Sequence, residues 1–168
     1  MLKGGCGLVE LRKIGVLDVA NHIIKYYQEH TTYLTVEEVY DRLEVLVYNI
    51  QLYVIYHKGP FTFQSIPYHD MQGPRYIELD GYKKSRQQLT YIESDYSNID
   101  GYRFNPRILS WDDQQVIYQT IKYLEHVSTE QLKKQVRTDS VTSYRGVKVY
   151  YTYKDIQSSI KRYYQTNG

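Results

Sequence analysis

Apolar residues recur at helical spacing through most of this chain. Over residues 17–30, Val19, Ile23 and Tyr26 share one face, and Ala20, Ile24 and Tyr27 share its neighbour. So broad a stripe predicts a mostly buried first helix. Over 36–56, Val39, Leu43, Leu46, Val47, Ile50 and Val54 form a second stripe, which Leu52 and Ile55 widen beyond one face. Its length and breadth predict a long central helix, stopped by Gly59-Pro60. Residues 61–68 alternate loosely around Pro67, the pattern of an extended segment or short edge strand. Gly73-Pro74 then predicts a turn, with Pro74 in the first turn of a helix edged by Tyr76, Leu79 and Tyr82.

Residues 87–108 carry little periodicity and hold Asp100-Gly101 and Asn105-Pro106, so they are read as irregular. Helical spacing returns in Val116, Ile117, Ile121 and Leu124, then in Leu132 and Val136, and last in Ile156, Ile160, Tyr163 and Tyr164. Between the last two groups, Val147, Val149 and Tyr151 alternate beside Arg145-Gly146, predicting a short hairpin or extended return. Residues 1–15 hold four glycines without a period and are read as a loose arm.

Four helix-start boxes sharpen this outline. They are Thr35 with Glu38, Ser110 with Asp113, Ser128 with Gln131, and Thr152 with Asp155. In each, a hydroxyl can accept from the amide three residues on, while that residue's side chain reaches back. All four stand directly before apolar periodicity, so local and longer-range signals agree. The expected fold is mainly α: a compact single-domain helical bundle over residues 16–168, with a central long helix and one or two short β segments.

Composition narrows the function. A 168-residue chain with 42% hydrophobic residues has enough apolar side chain for one real core. A net charge of +2 gives no whole-surface attraction to nucleic acid. The lone Cys6 cannot form an internal disulfide, residues 1–12 have no continuous apolar stretch, and no run reaches a membrane span. A soluble cytoplasmic protein, with no membrane partner, is expected. Tyrosine is the outlier, 21 against 3 Phe and 1 Trp. Such a bias suits core edges, where a ring is buried and its hydroxyl reaches out, and it also suits partner-binding surfaces. The doublets Tyr26-Tyr27, Tyr150-Tyr151 and Tyr163-Tyr164 keep the second reading open.

Motifs for catalysis are missing from the sequence. The histidines at 22, 30, 57, 69 and 126 lack metal-ligand spacing, and His69-Asp70 reads as a solvated loop pair. Cys6 sits away from any predicted helix start that could activate it. Glu37-Glu38 and Asp112-Asp113 fall in first helical turns, where acids complement the helix dipole. No catalytic residue, metal or cofactor is therefore expected. Basic clusters at Lys83-Lys84-Arg86, Lys133-Lys134-Arg137 and Lys161-Arg162 lie on predicted helices as solvated faces. Were they to converge, they could meet RNA or an acidic protein patch.

Residues 35–84 resemble the Panacea family of SocA-like antitoxin domains. That family's hallmark is a Leu-x-x-Leu-Leu-Tyr-x-x-Gln helix followed by a Gly-Pro step. Here it reads Leu43, Leu46, Val47, Tyr48 and Gln51, with Gly59, Phe63, Gly73 and Pro74 in register. The likeness extends more loosely over residues 16–164. It departs at Val45 and Gln72, where the family has Lys and an aromatic, and at Val136-Arg137 in place of its Thr-His step. The resemblance implies a non-catalytic antitoxin-like protein that neutralises a toxin, or another host or phage factor, by direct binding. It also implies an origin in a toxin–antitoxin locus, phage or mobile element. A phage anti-defence role and a nucleic-acid-binding regulator are the alternatives, nucleic acid being the less favoured partner. The partner face expected on this reading is Gly73, Pro74, Arg75, Tyr76, Lys83 and Lys84.

Overall fold

The computed structural model describes residues 13–30, 34–59, 63, 65–70, 73–85, 97–99, 102–104, 108–137 and 149–165. The protein is mostly helical. Its elements run α1 (Val16–His30), α2 (Val36–Lys58), β1 (Tyr68–Asp70), β2 (Gly73–Arg75), α3 (Ile77–Ser85), β3 (Ser97–Ile99), β4 (Tyr102–Phe104), α4 (Trp111–Leu124), α5 (Thr129–Arg137) and α6 (Tyr153–Ile160), closed by one π-helical turn, Lys161–Gln165.

The long helix α2 is the axis, packed by α1, α4, α5, α6 and β2. Leu43, Leu46, Val47, Tyr48 and Ile50 are all wholly buried along it. Each such side chain contributes roughly 1.5–3 kcal/mol of hydrophobic burial. This explains why α2 forms despite the β-branched Val54 and Ile55 in its last two turns: packing outweighs propensity. Its first turn is held by the Thr35–Glu38 box, the Glu38 amide donating to Thr35 Oγ1 (3.2 Å) and the Thr35 amide to Glu38 Oε2 (2.7 Å). At the other end Gly59 adopts φ +99°, a left-handed conformation that favours glycine, and its N–H closes on the Ile55 carbonyl (2.9 Å).

Of the other three boxes, two form in full and the one at Ser110 forms in part. Thr152 and Asp155 exchange bonds at the start of α6, and Ser128 and Gln131 do the same before α5. Ser110 accepts the Asp113 amide and donates its hydroxyl to the Asp113 carboxylate at the start of α4. The corner between α4 and α5 is clamped from within by the buried Arg42 of α2. Its guanidinium donates to the Leu124 carbonyl at the end of α4 (2.6 Å) and to Thr129 Oγ1 at the start of α5 (3.3 Å).

Four local expectations change. Pro74 does not open a helix: it lies in β2, paired antiparallel with β1 through Tyr68–Arg75, His69–Pro74 and Asp70–Gly73, and α3 begins only at Ile77. The strand in the 61–68 region comes late, at Tyr68–Asp70, while Phe63 makes an isolated parallel bridge to Ile14. Ile14 is therefore buried and fastened, not part of a loose arm; residues 1–12 lie outside the described residues. Within the stretch read as irregular, β3 and β4 pair antiparallel, Ser97 with Phe104 and Ile99 with Tyr102. The Asp100-Gly101 between them in sequence is a hairpin signal that the weak flanking pattern hid. The predicted extended return is realised at residues 149–151, which lie antiparallel to β1 through His69 N–H to the Val149 carbonyl (2.8 Å) and Tyr151 N–H to the Pro67 carbonyl (2.9 Å). Residues 144–148 of that expectation lie outside the described residues.

Candidate functional site

The Gly-Pro corner is structural. Gly73 and Pro74 are buried, and Tyr76 is wholly so. Gly73 has φ +121°, and a Cβ there would stand 3.0 Å from Val136 Cγ2 of α5, so glycine is needed for both backbone and space. The Tyr76 hydroxyl donates to Gln51 Oε1, and Gln51 Nε2 donates to the Ser65 carbonyl (2.9 Å). One buried glutamine of α2 thus ties together the two chain segments that follow it. Burial raises the Tyr76 pKa far above the ordinary phenol value, so this hydroxyl stays protonated. Gly73, Pro74 and Tyr76 cannot form the outward partner face expected for them, because α5 and α2 already cover them.

Arg75 is the half-exposed member of that corner. Burial opposes its charge, but Glu44 and Asp80 outweigh burial and raise its pKa. It bonds Asp80 Oδ1 at 2.8 Å, with Asp70 and Glu44 oxygens at 3.8 and 3.7 Å. The Tyr68 hydroxyl donates to the other Asp80 oxygen (2.7 Å). Arg75 is consequently committed to its own domain. Lys83 and Lys84 belong to α3, and their side chains lie outside the described residues.

Two of the five histidines, His22 and His69, likewise serve the interior. The Leu109 amide donates to Nε2 of the buried His22 (3.2 Å), and burial, with help from Lys25 against Asp18, pushes the His22 pKa down to about 4. His69 is buried in β1, not solvated in a loop. Its ring stacks on Tyr151 (3.9 Å, 18°) with Nε2 3.8 Å from Asp155 Oδ2. Burial lowers its pKa, Asp155 opposing. Among the described residues, no three His, Cys, Asp or Glu side chains gather as metal ligands. Asp113 caps α4 and pairs with Lys58 (2.6 Å); Lys133 pairs with Asp41 (2.6 Å). Lys134, Lys161 and Arg162 are exposed.

Among the described residues, a groove of about 910 Å³ lies open, walled by α2, α4, α5 and the final π-helical turn. Tyr53, Tyr123, Tyr163 and Tyr164 line it, with the carboxamides of Asn49, Gln119 and Gln135. On α4 the lining residues Val116, Thr120 and Tyr123 run at helical spacing beside the core stripe Ile117, Ile121 and Leu124, of which Leu124 also reaches the groove. Two adjacent stripes on one helix, one sealed and one open, are what place the groove there. Tyr164 stacks on Tyr56 (4.7 Å, 7°) and meets Tyr53 edge-on (6.5 Å, 69°), so the ring wall is braced before any ligand arrives. Burial, reinforced by Tyr53, Tyr123 and Tyr56, pushes the Tyr164 pKa up to about 12. The described lining residues carry no formal charge at neutral pH. Tyr123 stands at the rim, 83% exposed.

Of these groove residues, the sequence pointed to the Tyr163-Tyr164 doublet as a candidate surface and to Val116 and Leu124 only as members of a core stripe. The Val116, Thr120, Tyr123 stripe was present in the sequence as a second helical line, but the polar Thr120 in its middle and Tyr123 at its end disguised it. Comparison with protein families, curated proteins and solved structures finds no match for this chain. Among the described residues, no helix is long and apolar enough to cross a membrane.

Proposed function

We propose that this protein is a non-catalytic, antitoxin-like binding module, of the Panacea type, that acts in the cytoplasm by docking and blocking a partner protein. The partner is a cognate toxin or another host or phage factor, and the docking site is the tyrosine groove. The observation carrying this reading is the groove's composition: braced aromatic walls, carboxamides between them, and a rim ring left in water. Tyrosine supplies large contact area with a polar tip and little rotamer entropy to lose, the chemistry of protein-binding hot spots. The absence of charge among the described lining residues favours a protein segment over nucleic acid, whose phosphates would need Lys or Arg beside the rings. The family-like register of Leu43, Leu46, Val47, Tyr48 and Gln51 supports the same reading. Tyr48 and Gln51 are the residues that bond Ser159 and Tyr76, so the motif has a defined task in building the body that presents the groove.

Co-expression with the product of the adjacent reading frame tests this. The expected result is relief of growth inhibition and a complex that survives gel filtration. Tyr53→Ala and Tyr123→Ala should each weaken it at least tenfold, about 1.4 kcal/mol. No complex and no rescue would overturn the proposal. A salt-sensitive shift with RNA in place of a protein complex would redirect it to nucleic acid.

A further inference from the structure

The small sheet has two outer edges, and among the described residues one of them is protected. Residues 149–151, β1 and β2 lie side by side in that order. On the β2 side, Pro74 stands opposite His69. The His69 N–H points to Val149, away from β2, so the matching position on Pro74 points away from β1. Proline has no N–H to offer there, which closes that edge to further pairing.

Among the described residues, the opposite edge has no such guard. Tyr68 bridges Tyr150, and the two bonds that frame this pair use the residues on either side, His69 to Val149 and Tyr151 to Pro67. In that register the N–H and C=O of Tyr150 both point outward. Among the described residues, neither has a partner. Around this edge stand Ile66, Val149, Tyr150 and Tyr153, exposed by 53, 46, 46 and 52%. Water-facing apolar side chains beside an unpaired strand backbone are the usual template for strand addition.

We propose that this edge is a self-association surface. A second copy of the chain adds its own residues 149–151 antiparallel across a two-fold axis at Tyr150. Each Tyr150 N–H donates to the carbonyl of Tyr150 of the second copy. Such a pair needs one residue whose N–H and C=O both face out, and Tyr150 is that residue. Ile66, Val149, Tyr150 and Tyr153 carry no formal charge, so bringing the same patch against itself meets no like-charge repulsion among them. The ring of Tyr150 then lies against its symmetry mate, an aromatic cross-strand pair. The edge is short beside the roughly 1,600 Å² of a standard interface, so the dimer is weak and reversible, with a Kd on the order of 0.1 mM. This surface lies outside the tyrosine groove and does not depend on it.

Sedimentation velocity of the full chain from about 10 µM to about 1 mM tests the proposal. The weight-average mass should rise from monomer towards dimer. Val149→Lys, at an exposed edge position, should raise the dissociation constant at least tenfold without changing thermal stability. Tyr150→Pro removes an N–H that no bond among the described residues uses and should do the same. Should that variant lose its circular dichroism spectrum, Val149→Lys decides alone. Tyr123→Ala, in the groove, should leave self-association unchanged. A wild-type chain monomeric throughout, or Val149→Lys associating as the wild type does, would overturn the proposal. So would loss of association in Tyr123→Ala alone, which would place the contact in the groove.

Discussion

The two sides of α2 use tyrosine in opposite ways. On the inner side Tyr48 and Tyr76 are sealed, and each hydroxyl has one fixed partner, Ser159 and Gln51. On the outer side Tyr53, Tyr56 and Tyr164 brace one another by ring contact, and nearby Tyr123 stands almost free in water. The chemistry of the residue is constant; its surroundings decide whether the hydroxyl is a structural bond or a surface feature. Inner tyrosines should therefore carry stability and outer ones binding.

The largest separation comes from Tyr76→Ala. It empties a fully buried ring site and leaves the Gln51 amide without its donor, so unfolding free energy should drop by about 4 kcal/mol. Urea denaturation followed by circular dichroism measures it. A loss below about 1 kcal/mol would mean that the corner is not part of the cooperative core.

Acid should act on the same interior through His22. The folded chain holds its imidazole neutral until pH falls to about 4, whereas the unfolded chain takes up a proton near the ordinary value of 6.5. The stability this group contributes is therefore complete above about pH 6.5 and is lost as pH falls towards 4, on the order of 3 kcal/mol in all. His69, lowered in the same direction, adds to the slope, while Asp155 moderates it. Thermal melts from pH 7 to pH 4 should show the decline, and His22→Gln, whose amide can still accept the Leu109 N–H, should flatten it. An equally steep decline in that variant would remove His22 as the cause.

A smaller effect isolates the hydroxyl from the ring. Tyr48→Phe keeps the packing of Tyr48 against Tyr151 but takes the donor from Ser159. The expected cost is about 1 kcal/mol. Ser159 Oγ also bonds the Asp155 carbonyl (3.2 Å), so it is not left without a partner. The double variant Tyr48→Phe with Ser159→Ala should then cost less than the sum of the two singles.

How far all this could be read beforehand differs between the two sides. The inner side follows from strong, redundant signals. Apolar stripes at 3.6-residue spacing and four hydroxyl–acid or hydroxyl–amide boxes each point to the same helices, and the helices form where those signals place them. The corner was harder. Pro74 fits a helix start and an edge strand equally well by local rule, and its surroundings are set from a distance: β2 lies against α5, with Val136, 62 positions away, so close to Gly73 that a side chain there would not fit. His69 misled for a similar reason: beside Asp70 it reads as polar loop, yet stacking on Tyr151 and the approach of Asp155 bring it inside. The groove lies further from reach, because its walls come from four elements and no segment contains more than one line of it.

The smallest expected stability change is also the one that most separates the two sides. Tyr123 is 83% exposed on α4, with its neighbours Ile121 and Leu124 already buried by the core. Tyr123→Ala removes little buried area and replaces tyrosine by a better helix former, so unfolding free energy should change by less than about 0.5 kcal/mol in either direction. If the groove is the docking site, the same variant must nevertheless weaken partner capture at least tenfold, because a rim ring contributes only when a second surface closes over it. Stability unchanged with capture lost is the signature of a binding tyrosine. Stability lost by 2 kcal/mol or more would make Tyr123 a packing residue like Tyr76, and the contrast between the two faces of α2 would then be one of degree.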